Sequence, residues 1–249
     1  MALVTGGAGG IGLAIVRRLV EEGFRVAFVA RQEEHVARAL DHLGCDQARL
    51  MAEAIDVTCL EKMTAFIDRL RRRWDDVTVL VNNAGISPKR RDPGAPWIMQ
   101  TSPEEWQNVL AVNLNAPFVL TRLVAPAMIR RRAGRIVNIG SLAGRAIPQI
   151  AGPHYAASKA GLVGLTRATA RDLAPFGITV NCIAPGRILS DMTGPADSEV
   201  NRAALSRIPL GRFGTADEVA GLVGFLISSP AAAFLTGATL DVTGGEFAA

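Results

Sequence analysis

Cysteine is scarce in this chain. Cys45, Cys59 and Cys182 are the three in 249 residues, and they show neither metal-ligand nor redox spacing. No disulfide frame and no metal site is implied, and three free thiols suit a reducing cytoplasm, which is the expected location. Long apolar runs are also missing: the first breaks at Thr5-Gly6, and nowhere do eighteen apolar residues follow one another. Neither an export signal nor a membrane span is expected. Aromatic residues make up only 5%, and the arginines behind the net charge of +4 are scattered through helical segments. That excess reads as solvated surface, so no nucleic-acid partner is expected. No Ser/Pro-rich linker or charge block divides the chain, so residues 1–249 are read as one domain. Its 49% hydrophobic residues suffice for a core covered by helices on both faces.

Two further scarcities frame the stretch Tyr155-Ala-Ala-Ser-Lys159. Tyr155 is the single tyrosine, and Lys159 is one of three lysines beside twenty-four arginines. Four residues apart on a helix, the two side chains share a face, so an ammonium can sit close to a phenol. A nearby positive charge favours the phenolate and makes an otherwise weak acid useful in proton transfer. A chance spacing on a surface helix would produce the same five residues, so the rest of the chain has to decide.

Ala2–Thr5 reads as a strand, and Gly6 to Gly12 leads from it into a helix stopped by Gly23. Strand, glycine-rich turn and helix N-terminus in that order make an anion site, because backbone can approach a pyrophosphate and unpaired N–H groups face it. Its glycines fall at 6, 10 and 12, which is not the commonest dinucleotide spacing. The second strand, Arg25–Val29, is followed by Ala30 and Arg31 instead of an acidic residue. A guanidinium there can pair with a 2′-phosphate, which favours NADP(H) and leaves NAD(H) as the alternative if Glu33 or Glu34 turns inward.

A helix over Glu33–Leu43 and a strand over Arg49–Ile55 bring Asp56 to a strand end suited to an adenine amino group. Thr58-Cys-Leu-Glu61 has capping-box spacing for the next helix. Asn82-Asn-Ala-Gly85 follows the strand Val77–Val81, where paired amides could anchor backbone around a flat ligand. Ser87–Thr101, rich in proline and charge, reads as a surface loop without regular structure. Ser102-Pro-Glu-Glu105 starts a helix that carries Asn113, an amide in an apolar run that either eases a helix bend or faces a polar site. Ser141 follows the strand Arg135–Ile139 and is suited to donate to a carbonyl; no Ser/His/Asp set accompanies it. His154 reads as a packing or interface residue. After the strand Thr179–Ile183 and Pro185-Gly186, the segment to Pro209 is a candidate lid. Thr215-Ala-Asp-Glu218 is a further capping box, and Thr239–Val242 is the last strand.

Alternating strands and helices imply an α/β fold of Rossmann type, a doubly wound parallel sheet with helices on both faces and its ligand beyond the strands' carboxyl ends. Gly6, Arg31, Asp56, Asn83, Ser141 and Pro185 each follow a different strand. With Thr5-Gly-x-x-x-Gly-Ile-Gly12, Asn82-Asn-Ala-Gly85, Asn113, Ser141, Tyr155-x-x-x-Lys159 and Pro185-Gly186 in order, the sequence resembles the short-chain dehydrogenase/reductase family along its length. The resemblance implies that Tyr155 donates or accepts the proton, Ser141 orients the carbonyl, Lys159 lowers the phenol pKa and holds the nicotinamide ribose, and Asn113 positions a relay water. It also implies cofactor contacts from Thr5, Gly6, Gly10, Ile11, Gly12, Arg31, Asp56, Val57, Asn83, Ala84, Gly85, Tyr155, Lys159, Pro185 and Gly186. Ile188 and Ser190 correspond to positions that hold the nicotinamide carboxamide, Ser190 replacing the commoner threonine.

Within the family the chain is most similar to 3-oxoacyl-acyl-carrier-protein reductases, including Ile208-Pro-Leu-Gly-Arg212 and the Thr236-Gly237…Gly244-Gly245 ending, while the longer Ser87–Thr101 loop departs from their compact pattern. Reduction of a ketone, with a 3-oxoacyl thioester as substrate and a carrier protein near Arg130-Arg-Arg132, is one expectation. Dehydrogenation of a sugar, steroid or other secondary alcohol is the alternative, and a non-catalytic dinucleotide sensor is the rival of another class. A homotetramer is expected from the resemblance; the small residues on the Tyr155 helix permit a close helix neighbour, from this chain or another.

Overall fold

Continuous apolar runs, the pattern of strands buried on both faces, become the sheet. The computed structural model describes residues 1–44, 48–92, 94–189, 193–195 and 197–247; Cys45 and Ser190, both singled out by sequence, lie outside them. The strands are β1 (Ala2–Thr5), β2 (Val26–Ala30), β3 (Leu50–Ala54), β4 (Val79–Asn82), β5 (Gly134–Ile139), β6 (Ile178–Pro185) and β7 (Thr239–Val242). They form one parallel sheet in the order β3-β2-β1-β4-β5-β6-β7. Winding reverses between β1 and β4, and a crevice opens there beyond the strands' carboxyl ends.

Helices α1 (Gly10–Glu21), α2 (Glu33–Leu43) and α9 (Ala216–Ser228) cover one face, where Ile15, Leu19, Val36, Val223 and Leu226 pack with Val4, Phe28 and Val137. On the other face α3 (Leu60–Arg73), α6 (Ala116–Arg131) and α7 (Pro153–Leu173) join Phe66, Leu70, Leu120, Met128 and Leu173 to Leu3, Leu80 and Val180. The expected parallel, doubly wound α/β architecture is therefore present.

Local details differ from expectation in three places. Thr58 does not cap α3; its N–H and hydroxyl both donate to Asp56 Oδ1 at 2.9 and 2.7 Å, and Cys59 takes the N-cap position without a side-chain hydrogen bond. The loop 87–101 contains one helical turn, α4 (Trp97–Gln100), and the candidate lid contains α8 (Glu199–Leu205). Finally, α5 (Pro103–Leu110) runs into α6 without a break through a π-helical turn, Ala111–Asn115, centred on Asn113. By length and composition the continuous Pro103–Arg131 helix could span a membrane, but half of its most apolar stretch is buried in this fold. The boxes at Ser102 and Thr215 do cap, each hydroxyl accepting from the N–H three residues on.

Candidate active site

The glycine turn after β1 is held from three sides. Gly6 takes a left-handed φ of +65°, and a Cβ on Gly12 would overlap the Gly6 carbonyl and lie 2.6 Å from Asn83 Nδ2. Both positions thus require glycine on steric grounds. Asn83 Nδ2 donates to the carbonyls of Thr5 and Gly6 at 3.0 and 3.1 Å, while the Thr5 hydroxyl accepts from the N–H groups of Asn83 and Ala84, both at 3.0 Å. Amide 83 anchors the backbone as its position suggested. Asn82 instead turns to Asn138, whose own amide donates to Thr166.

Beside this turn lies a cavity of about 310 Å³ lined by Gly6, Gly9, Arg31, Asp56, Val57, Ala84 and Gly85 among others. A tight glycine turn feeding a helix N-terminus, next to an opening floored by Val57 and rimmed by Arg31 and Asp56, fits a dinucleotide's pyrophosphate and adenosine. Partial burial works to raise the Asp56 carboxyl, but the two Thr58 hydrogen bonds and the nearby Arg31 charge outweigh it and hold its pKa below the usual value. Arg38 and His35 also line this cavity, whereas Glu33 and Glu34 do not. Sequence reading missed Arg38 and His35, although Arg31, His35 and Arg38 recur at helical spacing and could have been found that way.

Farther along the crevice, a second cavity of about 470 Å³ opens over Ser141. Ser141 Oγ accepts from Ala143 N at 3.1 Å, so the hydroxyl proton is left to donate outward. Tyr155 lies in the first turn of α7 within hydrogen-bond reach of Ser141. Its ring keeps partial exposure, yet burial of the hydroxyl pushes the phenol pKa up, the Ser141 hydrogen bond opposing the rise. Lys159 is only 3% exposed. Burial lowers its ammonium from 10.5 to about 8. Nζ donates to the Ile139 carbonyl at 2.7 Å and stands 5.7 Å from the Tyr155 ring centre. The pair therefore shares a face as its spacing predicts, with the ammonium directed to the end of β5.

Gly85 is open toward both groups: a Cβ there would lie 3.5 Å from Lys159 Nζ and from Asn113 Oδ1. Asn113 is fully buried. Its Oδ1 accepts from Ile86 N at 2.8 Å, and Nδ2 donates to Ile86 O at 3.0 Å and to Ser158 Oγ at 3.1 Å. Both amide protons are thus committed, and Ser158 passes the chain on to the Tyr155 carbonyl at 2.7 Å. The turn around Asn113 is π-helical, with its hydrogen bonds one residue wider than those of the flanking α-helices. At the end of β6, Gly186 lies against Thr243 and Ile188 is buried against Gly214.

The family model described as short chain dehydrogenase matches residues 1–201. This chain belongs to the short chain dehydrogenase family. It is 40% identical over 247 residues to a 3-oxoacyl-[acyl-carrier-protein] reductase of Vibrio cholerae, covering 99% of this chain and 97% of that one. Its identity to the reductase of the same description from Escherichia coli is 39% over 247 residues, with the same coverage. Among solved structures, a 3-oxoacyl-[acyl-carrier protein] reductase from Brucella melitensis superposes with a TM-score of 0.92 at 37% identity, covering 100% of this chain and 91% of that one. Another, described as having bound NAD and also from Brucella melitensis, gives a TM-score of 0.89 with the same identity and coverage. The short chain dehydrogenase assignment makes this protein an NAD(P)-dependent oxidoreductase acting on CH–OH or keto groups.

Proposed function

We propose that this dehydrogenase family member reduces a ketone with NADPH, and that the ketone is a 3-oxoacyl thioester. The observation that carries the reading is that Ser141, within hydrogen-bond reach of Tyr155, opens on a cleft whose wall is largely apolar, built by Leu142, Ala143, Ala146, Ile147, Pro148 and Ile150, with Lys159 behind the Tyr155 ring. Such a wall suits an acyl chain better than the hydroxyls of a sugar. The full-length likeness to 3-oxoacyl reductases supports the same substrate. In this reading residues 1–249 act as one domain, which the single sheet supports.

A bound nicotinamide supplies the hydride. The Thr5 to Gly12 turn with Ile11 holds the pyrophosphate, Asp56 and Val57 meet the adenine, Asn83 to Gly85 flank the ribose side, and Pro185, Gly186 and Ile188 meet the carboxamide. Ser190 has the same assignment and lies outside the described residues. Ser141, fixed in place by the Ala143 N–H, donates its hydroxyl proton to the substrate carbonyl. Tyr155 then gives its proton to the alkoxide that forms. Its raised pKa keeps the phenol protonated at neutral pH, the state a donor needs, while the nearby Lys159 charge favours the phenolate left behind. Because the Asn113 side chain is committed to Ile86, a relay water at Asn113 would have to be held by the backbone of the π turn.

Arg31 and Arg38 at the ribose rim support NADPH over NADH, since neither Glu33 nor Glu34 reaches the cavity. Arg130 and Arg131 pair with Asp75 and Asp76, and Arg132 donates to the Pro175 carbonyl. This cluster precedes β5, at the end of the sheet opposite this chain's own cleft, so Arg130–Arg132 do not line the entry that a carrier-bound thioester would use here. A homotetramer is supported by exposed Phe118 and by the open face at Gly164, whereas Gly161 is already met by Leu114 of the same chain. Light scattering at micromolar concentration would read a tetramer, and a monomer would refute it. Incubation with NADPH and a panel of acyl, sugar and cyclic ketones, run in both directions, tests the activity. Fastest turnover is expected on 3-oxoacyl thioesters; a sugar or steroid preference would replace the substrate, and binding without turnover on every class would favour a sensor.

A further inference from the structure

The helix that carries Tyr155 begins badly. Its N-cap is Gly152, which has no side chain to accept from the first N–H groups, and Pro153 follows at the first helical position. The Tyr155 N–H is nonetheless satisfied: it donates to Nδ1 of His154, the preceding residue, at 2.8 Å. His154 is completely buried. Because Nδ1 accepts, a neutral ring carries its proton on Nε2, and that nitrogen lies 3.1 Å from Glu105 Oε1 on α5. The Trp97 ring of α4 lies against the imidazole, centroids 5.9 Å apart. A Cβ on Gly152 would come within 2.6 Å of His154 Cε1 and 2.8 Å of Trp97 Cε3. Gly152 therefore gives up its own capping ability to make room for the ring that caps in its place. Glu105 in turn pairs with Arg91 at 2.6 Å, so the loop before α5 reaches the same ring through both Trp97 and Glu105.

We propose that His154 is a positioning residue for the reaction: its imidazole, fixed as the Nε2–H tautomer by Glu105, holds the backbone N–H of Tyr155 and so aims the phenol at Ser141. The inference rests on the assignment of Tyr155 as proton donor. An Asn at 154 can place a carbonyl oxygen where Nδ1 stands; a Leu cannot accept at all; and Gly152→Ala leaves the histidine in the chain but takes the ring's space.

The test compares His154→Asn, His154→Leu and Gly152→Ala, with Tyr155→Phe as control, in the full chain. His154→Leu and Gly152→Ala should lower kcat on the order of ten- to a hundredfold, with KM for NADPH changed less than about twofold, since a small misplacement of a reacting group has effects of that size. His154→Asn should recover most of kcat. If His154→Leu fails to fold, Gly152→Ala against His154→Asn carries the same comparison. Nitrogen-15 NMR of the cofactor-bound protein should show His154 as the neutral Nε2–H tautomer, and amide exchange at Tyr155 should quicken in Gly152→Ala but not in His154→Asn. The proposal falls if Asn is no better than Leu or Gly152→Ala, if Gly152→Ala keeps kcat within about twofold of wild type, or if the ring proton resides on Nδ1. Near-normal turnover in Tyr155→Phe would instead remove the proton-donor assignment, while tautomer and exchange would still report whether the clamp exists.

Discussion

Arg31, Arg38 and Asp56 rim the β2 end of the crevice as exposed groups, whereas at the β5 end Lys159 is 3% exposed and its ammonium is lowered to about 8. Exposed charges cost little to maintain and are screened by salt, so the adenosine end can discriminate ligands at small expense to the fold. A buried ammonium is different. It disfavours its own charge, needs the Ile139 carbonyl to satisfy it, and gains strength on any neighbour because little water intervenes. The adenosine end is thus built for selecting a ligand and the β5 end for changing the state of a proton. Substitutions should separate the two.

The largest effect is expected from Tyr155→Phe, which keeps the ring and removes the proton. Turnover should fall by about 10²- to 10⁴-fold, the usual range for loss of a general acid, while NADPH affinity by fluorescence titration stays near wild type. Because Tyr155 is the single tyrosine, the phenolate absorbance change should vanish in this variant, which assigns the titration directly. In wild type it should lie above 10 without cofactor, as burial dictates, and move down when cofactor binds and orders Lys159 beside it. A titration unmoved by cofactor would break the proposed role of the lysine.

Lys159→Met should lose most turnover and also weaken NADPH, mixing the two behaviours in one residue. Its stability carries a separate signature. The folded protein sheds the Lys159 proton near pH 8 while the unfolded chain keeps it to about 10.5, so the unfolded state binds more protons in that window. Wild-type stability should therefore rise relative to Lys159→Met between those pH values and run parallel to it below them. Cys182, pushed by burial from 9.0 to about 11, acts in the opposite sense over its own window, so the difference between the two proteins in urea unfolding is the quantity to read.

Gly12→Ala places a methyl against the Gly6 carbonyl and should cost cofactor affinity roughly tenfold or more with a lowered Tm, since either the turn or the helix must shift. Arg31→Ala should be the mildest. Loss of one charge-assisted pair is worth on the order of 1.5–3 kcal/mol, and an exposed guanidinium belongs at the lower end. NADP(H) should weaken about tenfold with NAD(H) nearly unchanged, and the gap should narrow in salt. Equal losses for both cofactors would overturn the 2′-phosphate assignment.

Much of this architecture was legible because parallel strands buried on both faces are written as apolar runs, as at Ala2–Thr5, whose bounds match; Thr239–Val242 also matches its observed bounds, though as a half-buried edge strand that carries Asp241 it is a weaker signal. Cap signals were less dependable for a physical reason. Ser102 and Thr215 have no competitor and cap as spelled, but Asp56 sits two residues before Thr58 and captures its N–H and hydroxyl. The glycine turn and Asn83 were readable because steric exclusion is local. His154 and Glu105 were not, since forty-nine residues separate them and only the packing of α5 on α7 brings imidazole to carboxylate. Nor does a four-residue spacing say where a flexible ammonium points; Ile139 wins Lys159 here through a strand end that spacing does not encode.

The clasp between Thr5 and Asn83 has a consequence for the rhythm of turnover. Thr5, Gly6, Asn83 and Ala84 are tied to one another within the chain, so on the proposed reading a pyrophosphate entering beside them spends little chain entropy there. A seat of that kind should capture at the pace of diffusion and orientation. Free adenosine diphosphates should therefore occupy it as simple competitors, with arrival rates insensitive to whatever stands over Ser141.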